Sequence, residues 1–208
     1  MQIRSRSKFS SIAITATIAA LLFGLLPAAT LPSSAHSCSD LPPGITCVFS
    51  GFMTGGGRFN TTTNYAPSSP YSPTGELLTH GFILHCNATD TPNNLEINWN
   101  SKTGEHQFHL ENLISAHCEM NTALGSPNPP TANFNTWVGN GTGKLDGQPG
   151  AFIYAIFTDQ SQPAGTQAGG QGDWSTIVIY APNGTLAIQV TDPLFGGAQQ
   201  AHMCGGNC

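Results

Sequence analysis

Short apolar runs separated by turn-forming residues dominate the chain after residue 35. In Leu95-Glu96-Ile97-Asn98-Trp99 apolar and polar side chains alternate, the pattern of a strand with one buried face. The nearly continuous apolar run 152–157 is typical of a strand buried on both faces. Nine runs are predicted to be strands: Thr46–Phe52, His80–Cys86, Leu95–Trp99, Gln107–Leu110, Leu113–Cys118, Asn133–Val138, Ala151–Thr158, Trp174–Tyr180 and Thr185–Thr191.

Turn signals between these runs indicate an antiparallel arrangement. Asn183-Gly184 is typical of a hairpin turn, because both residues tolerate positive φ. Three stretches rich in Pro, Gly, Gln or Asn, 60–75, 120–131 and 160–172, are predicted to be loops. We expect the last to be a surface connection running from Asp159 to Asp173. The pattern therefore predicts an all-β protein, an antiparallel β-sandwich.

The first 35 residues have the order of a secretory signal peptide. Three basic residues, the last of them Lys8, precede the uncharged apolar run Ile12–Leu26, and Ala35 ends a small-residue cleavage site. The run is shorter than the roughly 20 residues needed to span a bilayer. We expect cleavage after Ala35, with a cut near Ala28 or Ala29 as the alternative. We also expect a single domain over 36–208 and a secreted, periplasmic or cell-surface location.

Charge excludes several partners. Only 8% of residues are charged, against about 25% in typical soluble proteins. Removal of residues 1–35 leaves three basic residues against all 11 acidic ones. An acidic chain of this kind does not bind nucleic acid, and no second apolar run predicts a membrane span. The expected partner is an extracellular ligand, carbohydrate or protein.

All six cysteines lie after residue 35, and an even count in an exported chain predicts disulfides. Spacing favours three local pairs: Cys38–Cys47, Cys86–Cys118 and Cys204–Cys208. Cys86 and Cys118 end two predicted strands, so their bond would join neighbouring strands. The alternative links Cys38 or Cys47 to the C-terminal tail. Zinc binding is disfavoured, because no Cys-x-x-Cys pair occurs.

Two weak metal-ligand sets stand out. Asp159 and Asp173 flank the Gly-rich loop and could bind calcium, although Asx turns explain the same residues. His85 and His117 each precede a cysteine, so a Cys86–Cys118 bond would bring both rings to one sheet face. Two surface histidines are the simpler interpretation. No other cofactor is expected.

Signals for catalysis are sparse. No Gly-x-Ser-x-Gly motif occurs. Carboxylates that could pair for glycoside hydrolysis are Glu76, Glu96, Glu105, Glu111 and Asp146. A sugar could stack on Trp99, Trp137 or Trp174, but core burial is the better interpretation of each. The sequence favours a non-catalytic binding or structural module, with a carbohydrate-active hydrolase and a metal-binding envelope protein as alternatives.

Three stretches and a C-terminal motif occur in a recognisable order: Met53–Phe59 with its Thr-Gly-Gly-Gly, 79–99 with a Gly-Phe and an Asn-Leu strand, 141–174 with an acidic turn, and Gly196–His202. This order, over about residues 50–202, resembles the post-COAP-type domains of secreted bacterial proteins. The resemblance implies a bacterial all-β module without established enzyme activity. Gln162, directly before Pro163, stands where the family has Glu, Ala164 is inserted before the next Gly, and Ala198 replaces the family's Asn. These departures weaken any cation site at the turn.

Overall fold

The computed structural model describes Leu41 and residues 43–60, 69–127, 132–160 and 172–204. The chain divides into two compact units, Met1–Ser33 and Ser34–Cys208, and every described residue belongs to the second. The predicted signal peptide lies outside the described residues, as do Cys38 and Cys208.

The described residues form one antiparallel sheet. Its strand order is β10-β2-β3-β4-β5-β6-β7-β8-β9, and β1 pairs with the end of β5. A 3-10 turn, Thr122–Leu124, follows β5. The all-β prediction is therefore confirmed. The strands are β1 (Ile45–Val48), β2 (Phe52–Asn60), β3 (Pro73–His85), β4 (Asn94–Ser101), β5 (Gly104–Asn121), β6 (Thr136–Leu145), β7 (Gln148–Thr158), β8 (Trp174–Tyr180), β9 (Leu186–Pro193) and β10 (Gly196–His202).

The sheet curls so that strands far apart in its order meet across the core. The Cys86–Cys118 disulfide, confirmed in the structure, joins the end of β3 to β5. The expectation of neighbouring strands is wrong, because β4 lies between these two in the sheet order. The indole N–H of Trp137 on β6 donates to the carbonyl of His85, 2.9 Å away. The Phe82 and Phe157 rings of β3 and β7 stack with centroids 4.1 Å apart.

Alternation along the strands decides which side chains fill this core. In β4, Leu95, Ile97 and Trp99 are buried, while the residues between them face outward. The run 152–157 behaves in the same way: Ile153, Ala155 and Phe157 are buried and their neighbours are partly exposed. The prediction that this run is buried on both faces is therefore wrong, because its other face borders solvent.

The sequence pattern missed two glycine-rich strands, β2 and β10. Both look unlike strands because glycine has low β-propensity. Here glycine is required by close packing: a β-carbon on Gly55 would lie 2.7 Å from the Phe82 ring. Gly197 has φ +102°, and a β-carbon there would collide with the carbonyl of Gly56. Such strands are predictable only once the neighbouring strand is known.

Turns match the predictions in part. The Asn183-Gly184 hairpin is confirmed: Gly184 has φ +80°, and the amide of Ala181 donates to the carbonyl of Thr185 at 2.8 Å. The predicted loop 60–75 is shorter, because β3 begins at Pro73; its residues 61–68 lie outside the described part. Among the described residues, no helix has the length and apolar character to cross a membrane.

Cys47 and Cys204 also take part in disulfides. Their predicted partners, Cys38 and Cys208, lie outside the described residues. The pairing of these four cysteines therefore stays a prediction.

Candidate functional site

The outer edge of β10 is closed by two carboxylates. Asp173 Oδ2 accepts a hydrogen bond from the amide of Gln199 at 2.7 Å, and Asp159 Oδ2 accepts one from the amide of Ala201 at 2.9 Å. The Gln199 side chain donates to Ser175 Oγ on β8 at 2.6 Å. We call Asp159, Asp173, Ser175, Gln199 and the nearby His80 the seam. The seam satisfies edge amides that a neighbouring strand would otherwise bind.

Both seam carboxylates are fully buried. The two ends of the predicted surface connection therefore lie in the interior, while residues 161–171 lie outside the described part. Asp173 Oδ1 also accepts from the amide of Gln160, at 3.0 Å. These two candidate calcium ligands thus bind backbone amides. Within the described ranges, no group of three or more His, Cys, Asp or Glu side chains could hold a metal ion.

His80 is the histidine of the seam, and its side chain is buried. Its ring lies nearly parallel to the stacked rings of Phe82 and Phe157, at centroid distances of 5.7 and 5.5 Å. Its Nε2 lies 3.5 Å from the Gln199 amide nitrogen. Burial disfavours the imidazolium and lowers the pKa of His80 from 6.5 to about 4. The seam therefore contains a neutral imidazole at physiological pH.

The histidines predicted to share a metal site bind different partners. His85 Nδ1 lies 3.3 Å from Asn93 Oδ1, and the His85 ring contacts Phe52 with centroids 5.6 Å apart. His117 Nε2 lies 2.7 Å from Glu119 Oε1. No interaction joins the two rings within the described part of the chain. Both rings are buried, so the interpretation as surface histidines is wrong. A metal site shared by the two stays a prediction.

A polar groove of about 630 Å³ lies over β3, β4 and β5. A second groove of about 410 Å³ continues it along β3 and β4, and the two share Thr79 and Asn98. We call both together the outer groove. Gly81 lies in its floor, and a β-carbon there would meet nothing within 4 Å, so the floor is open. No lysine or arginine is among the described residues that line it.

Amides fix the carboxylate of Glu96 in the outer groove. Glu96 Oε1 accepts from the amide nitrogens of Gln107 at 2.8 Å and Asn98 at 3.2 Å. The three side chains come from two paired strands, since Asn98 lies opposite Gln107. The result is a flat array of oriented acceptors and donors that faces solvent.

A chain of hydrogen bonds lies at the end of the outer groove. His106 Nδ1 is 2.7 Å from Asp146 Oδ2, and His106 Nε2 is 2.7 Å from Ser101 Oγ. This is the connectivity of a catalytic triad. Ser101, however, is 9% exposed and does not line the groove. Its Oγ also accepts from the amide of Thr103 and lies 3.1 Å from the carbonyl oxygen of Pro70. The chain therefore fastens the β4–β5 hairpin to its surroundings.

Comparison of the chain with protein-family models, curated protein sequences and solved structures gives no significant match. The resemblance to post-COAP-type domains therefore stays a prediction.

The candidate carboxylates of the hydrolase alternative divide between the outer groove and other positions. Glu105 and Asp146 line the same part of the outer groove, and Glu96 lies in its continuation. Glu111 forms an ion pair with Lys144 and lines neither part. The side chain of Glu76 lies outside the described residues. Both oxygens of Asp146 have partners, because Oδ1 accepts from the amide of Gln107 at 2.9 Å.

The tryptophans divide into two classes. Trp99 and Trp137 are 3% and 1% exposed, which confirms the expected core burial. For Trp174 that expectation is wrong, since this side chain on β8 is 40% exposed. Trp174 does not line the outer groove.

Sequence reasoning missed three polar residues of the groove region, Asn98, Gln107 and His106. Asn, Gln and His are common residue types. The groups that their side chains bind lie elsewhere in the sheet or across a turn, so no short motif marks them. The single available signal was the odd spacing of His106 and His109, which predicts opposite faces. The structure confirms it: His106 is buried and His109 is exposed.

Proposed function

We propose that this chain is an exported, non-catalytic binding module whose outer groove binds an uncharged polysaccharide. The observation that carries the proposal is the continuous polar groove over β3, β4 and β5, in which amides of Asn98 and Gln107 orient the carboxylate of Glu96. Identification as an extracellular module of post-COAP type belongs to the same proposal.

The chemistry of the outer groove favours hydroxyl groups as the ligand's polar features. A carboxylate accepts hydrogen bonds, and a side-chain amide both donates and accepts, which matches hydroxyls that do both. Glu96, Glu105 and Asp146 bring negative charge, and none of the described lining residues is Lys or Arg. An anionic polymer would therefore be repelled. We take neutral sugars as the ligand because the amides and carboxylates of the groove match hydroxyl groups.

The shape of the outer groove favours an extended ligand. Its two parts share Thr79 and Asn98, and its floor at Gly81 carries no side chain. A chain of sugars can lie along such a floor and use several weak contacts in series. Export is supported by the buried Cys86–Cys118 disulfide, because such bonds persist in oxidising compartments.

The test is affinity electrophoresis of the oxidised protein through gels that contain neutral or uronic-acid polysaccharides. We expect retardation by at least one neutral polymer and none by the acidic ones. Glu96→Ala and Gln107→Ala should each weaken that binding by about tenfold or more. The matched control is Glu111→Ala, which removes an equal charge from β5 outside the groove and should leave binding within about twofold.

Retardation by acidic polymers alone, by none of the polymers, or equally for all variants would contradict the proposal.

A glycoside hydrolase is the second candidate, because Glu105 and Asp146 line the same part of the groove. Such enzymes need one carboxyl group to donate a proton and another to act as base or nucleophile. Asp146 is poorly suited to either role, since both its oxygens hold protein hydrogen bonds. Release of reducing ends from a bound polysaccharide, abolished in both Glu105→Gln and Asp146→Asn, would establish the hydrolase.

A further inference from the structure

A second cavity, of about 360 Å³, lies at the far end of β5, away from the outer groove. Its walls are largely apolar and come from β1, β6, β7 and the turn that follows β5. Leu41, Ile45, Leu124, Val138 and Ile156 supply the apolar surface. We call this cavity the β1 pocket. Its volume is near the lower end of the range for small-molecule sites, about 300–1,000 Å³.

One ionisable group of the β1 pocket is a nearly buried carboxylate. Glu119 is 8% exposed and lines the pocket. Its Oε1 lies 2.7 Å from Nε2 of His117, which is also buried. No hydrogen bond to the second oxygen, Oε2, is found among the described residues. A carboxylate with a spare acceptor in an apolar cavity favours a ligand that brings a donor or a positive charge.

Tyr154 adds a phenol to the lining of this pocket. Its ring lines the same cavity from β7. Burial, and then the negative charge of Glu119, raise the pKa of Tyr154 above its usual 10. The phenol therefore stays protonated and adds a neutral polar group next to the carboxylate. Thr136 and Thr158 complete the polar part of the lining.

We propose that the β1 pocket binds a small amphiphile, with its apolar body against Ile45, Val138 and Ile156 and an ammonium group at Glu119. Burial of the body gives affinity that depends little on its detailed shape. The carboxylate gives selectivity for a cationic head over an anionic one. This site is separate from the outer groove, and neither the proposed polysaccharide nor the outer-groove residues take part in it.

The test compares n-octylammonium with octanoate, which share an alkyl chain and differ in the charge of the head group. Isothermal titration at pH 7, below the micellar concentration of either compound, measures both affinities for the oxidised protein. We expect octylammonium to bind at least about tenfold more tightly than octanoate. Amide shifts in a ¹⁵N spectrum should be largest for Thr136, Val138 and Ile156.

Three variants test whether the preference for octylammonium over octanoate arises in the β1 pocket. Glu119→Gln keeps the shape and an acceptor for His117, and should bring the two affinities within about threefold of each other. Glu111→Gln removes the same charge from an exposed position on β5 and should leave the preference unchanged. Leu124→Trp, in the turn after β5, enlarges a side chain that lines the pocket and should weaken the binding of octylammonium. Each variant is first checked for an unchanged unfolding midpoint.

Absence of octylammonium binding, equal binding of the two compounds by the unmodified protein, or a preference that survives Glu119→Gln would each overturn the proposal. If Glu119→Gln fails to fold, Leu124→Trp decides in its place: unchanged octylammonium affinity there would also overturn it. Retardation of the protein by neutral polysaccharides does not depend on the β1 pocket. A negative titration result for the pocket is therefore distinguishable from a negative electrophoresis result for the outer groove.

Discussion

The seam and the outer groove both contain carboxylates bound by amide groups, yet they differ in what else can reach them. In the seam, Asp159 and Asp173 are fully buried and accept hydrogen bonds from backbone amides of β10. In the outer groove, Glu96 accepts from the side-chain amides of Gln107 and Asn98 on a face that borders solvent. Backbone partners fix the fold, whereas exposed side-chain partners leave acceptor capacity for a ligand.

The largest expected effect is at the seam. Asp173→Ala removes the acceptor of two backbone amides, those of Gln199 and Gln160. Each orphaned donor costs about 1–3 kcal/mol when it is buried. We expect the free energy of unfolding to fall by about 3–5 kcal/mol in chemical denaturation of the oxidised protein.

Asp173→Asn is the matched control, because it keeps one oxygen and the side-chain size, and it should cost less. Glu96→Ala in the outer groove should change the free energy of unfolding by less than about 0.5 kcal/mol. Equal losses for Asp173→Ala and Glu96→Ala would remove the distinction between the two regions.

Acid should weaken the seam through His80. Its folded-state pKa of about 4 lies below the unfolded value of 6.5, so protons bind preferentially to the unfolded chain. Above pH 6.5 the histidine imposes no penalty. The penalty grows as pH falls from 6.5 to 4 and reaches about 3 kcal/mol below that range.

The measurement is the free energy of unfolding at several pH values for the unmodified protein and for His80→Gln. We expect the difference between the two curves to change by that amount across this window. His109→Gln, which alters an exposed histidine of β5, should follow the unmodified protein. A His80→Gln curve parallel to that of the unmodified protein would show that His80 gains its proton without cost.

Asp146 is intermediate between the two regions, since its side chain is 37% exposed and binds both His106 and the amide of Gln107. Asp146→Asn keeps an acceptor for Gln107 and tolerates the positive φ of this position. It loses the carboxylate acceptor of His106 Nδ1, so we expect a loss of about 1 kcal/mol in the free energy of unfolding. A loss as large as that of Asp173→Ala would place Asp146 with the seam.

Local pattern was sufficient to predict most of the strands. Alternation identified β4, and the Asn183-Gly184 turn identified the β8–β9 hairpin, because both signals depend on a few adjacent residues. The Cys86–Cys118 bond was also predictable, as its spacing made it a favoured local pair. Strands β2 and β10 were not, since Gly55 and Gly197 are explained by Phe82 and Gly56 on neighbouring strands.

The candidate functional surfaces were less predictable for the same reason. Asp159 and Asp173 were singled out only as possible calcium ligands at the two ends of a surface loop. Their burial depends on β10, about 26–42 residues further along the chain. Glu96 and Glu105 were singled out as carboxylates, whereas the amides that orient Glu96 carry no local signal. The β1 pocket needs β1, β6 and β7 together, so sequence spacing alone could not indicate Glu119 as its acid.

The central claim, that the outer groove is the binding surface, is tested most directly by mapping a bound neutral oligosaccharide on the protein with ¹⁵N chemical shifts. The oligosaccharide is taken from the polymer that retards the protein most strongly. We predict that the largest shifts fall on Thr79, Asn98 and Gln107, including their side-chain amides where present. Shifts centred instead on exposed Trp174, or on the β1 pocket around Val138, would contradict the account.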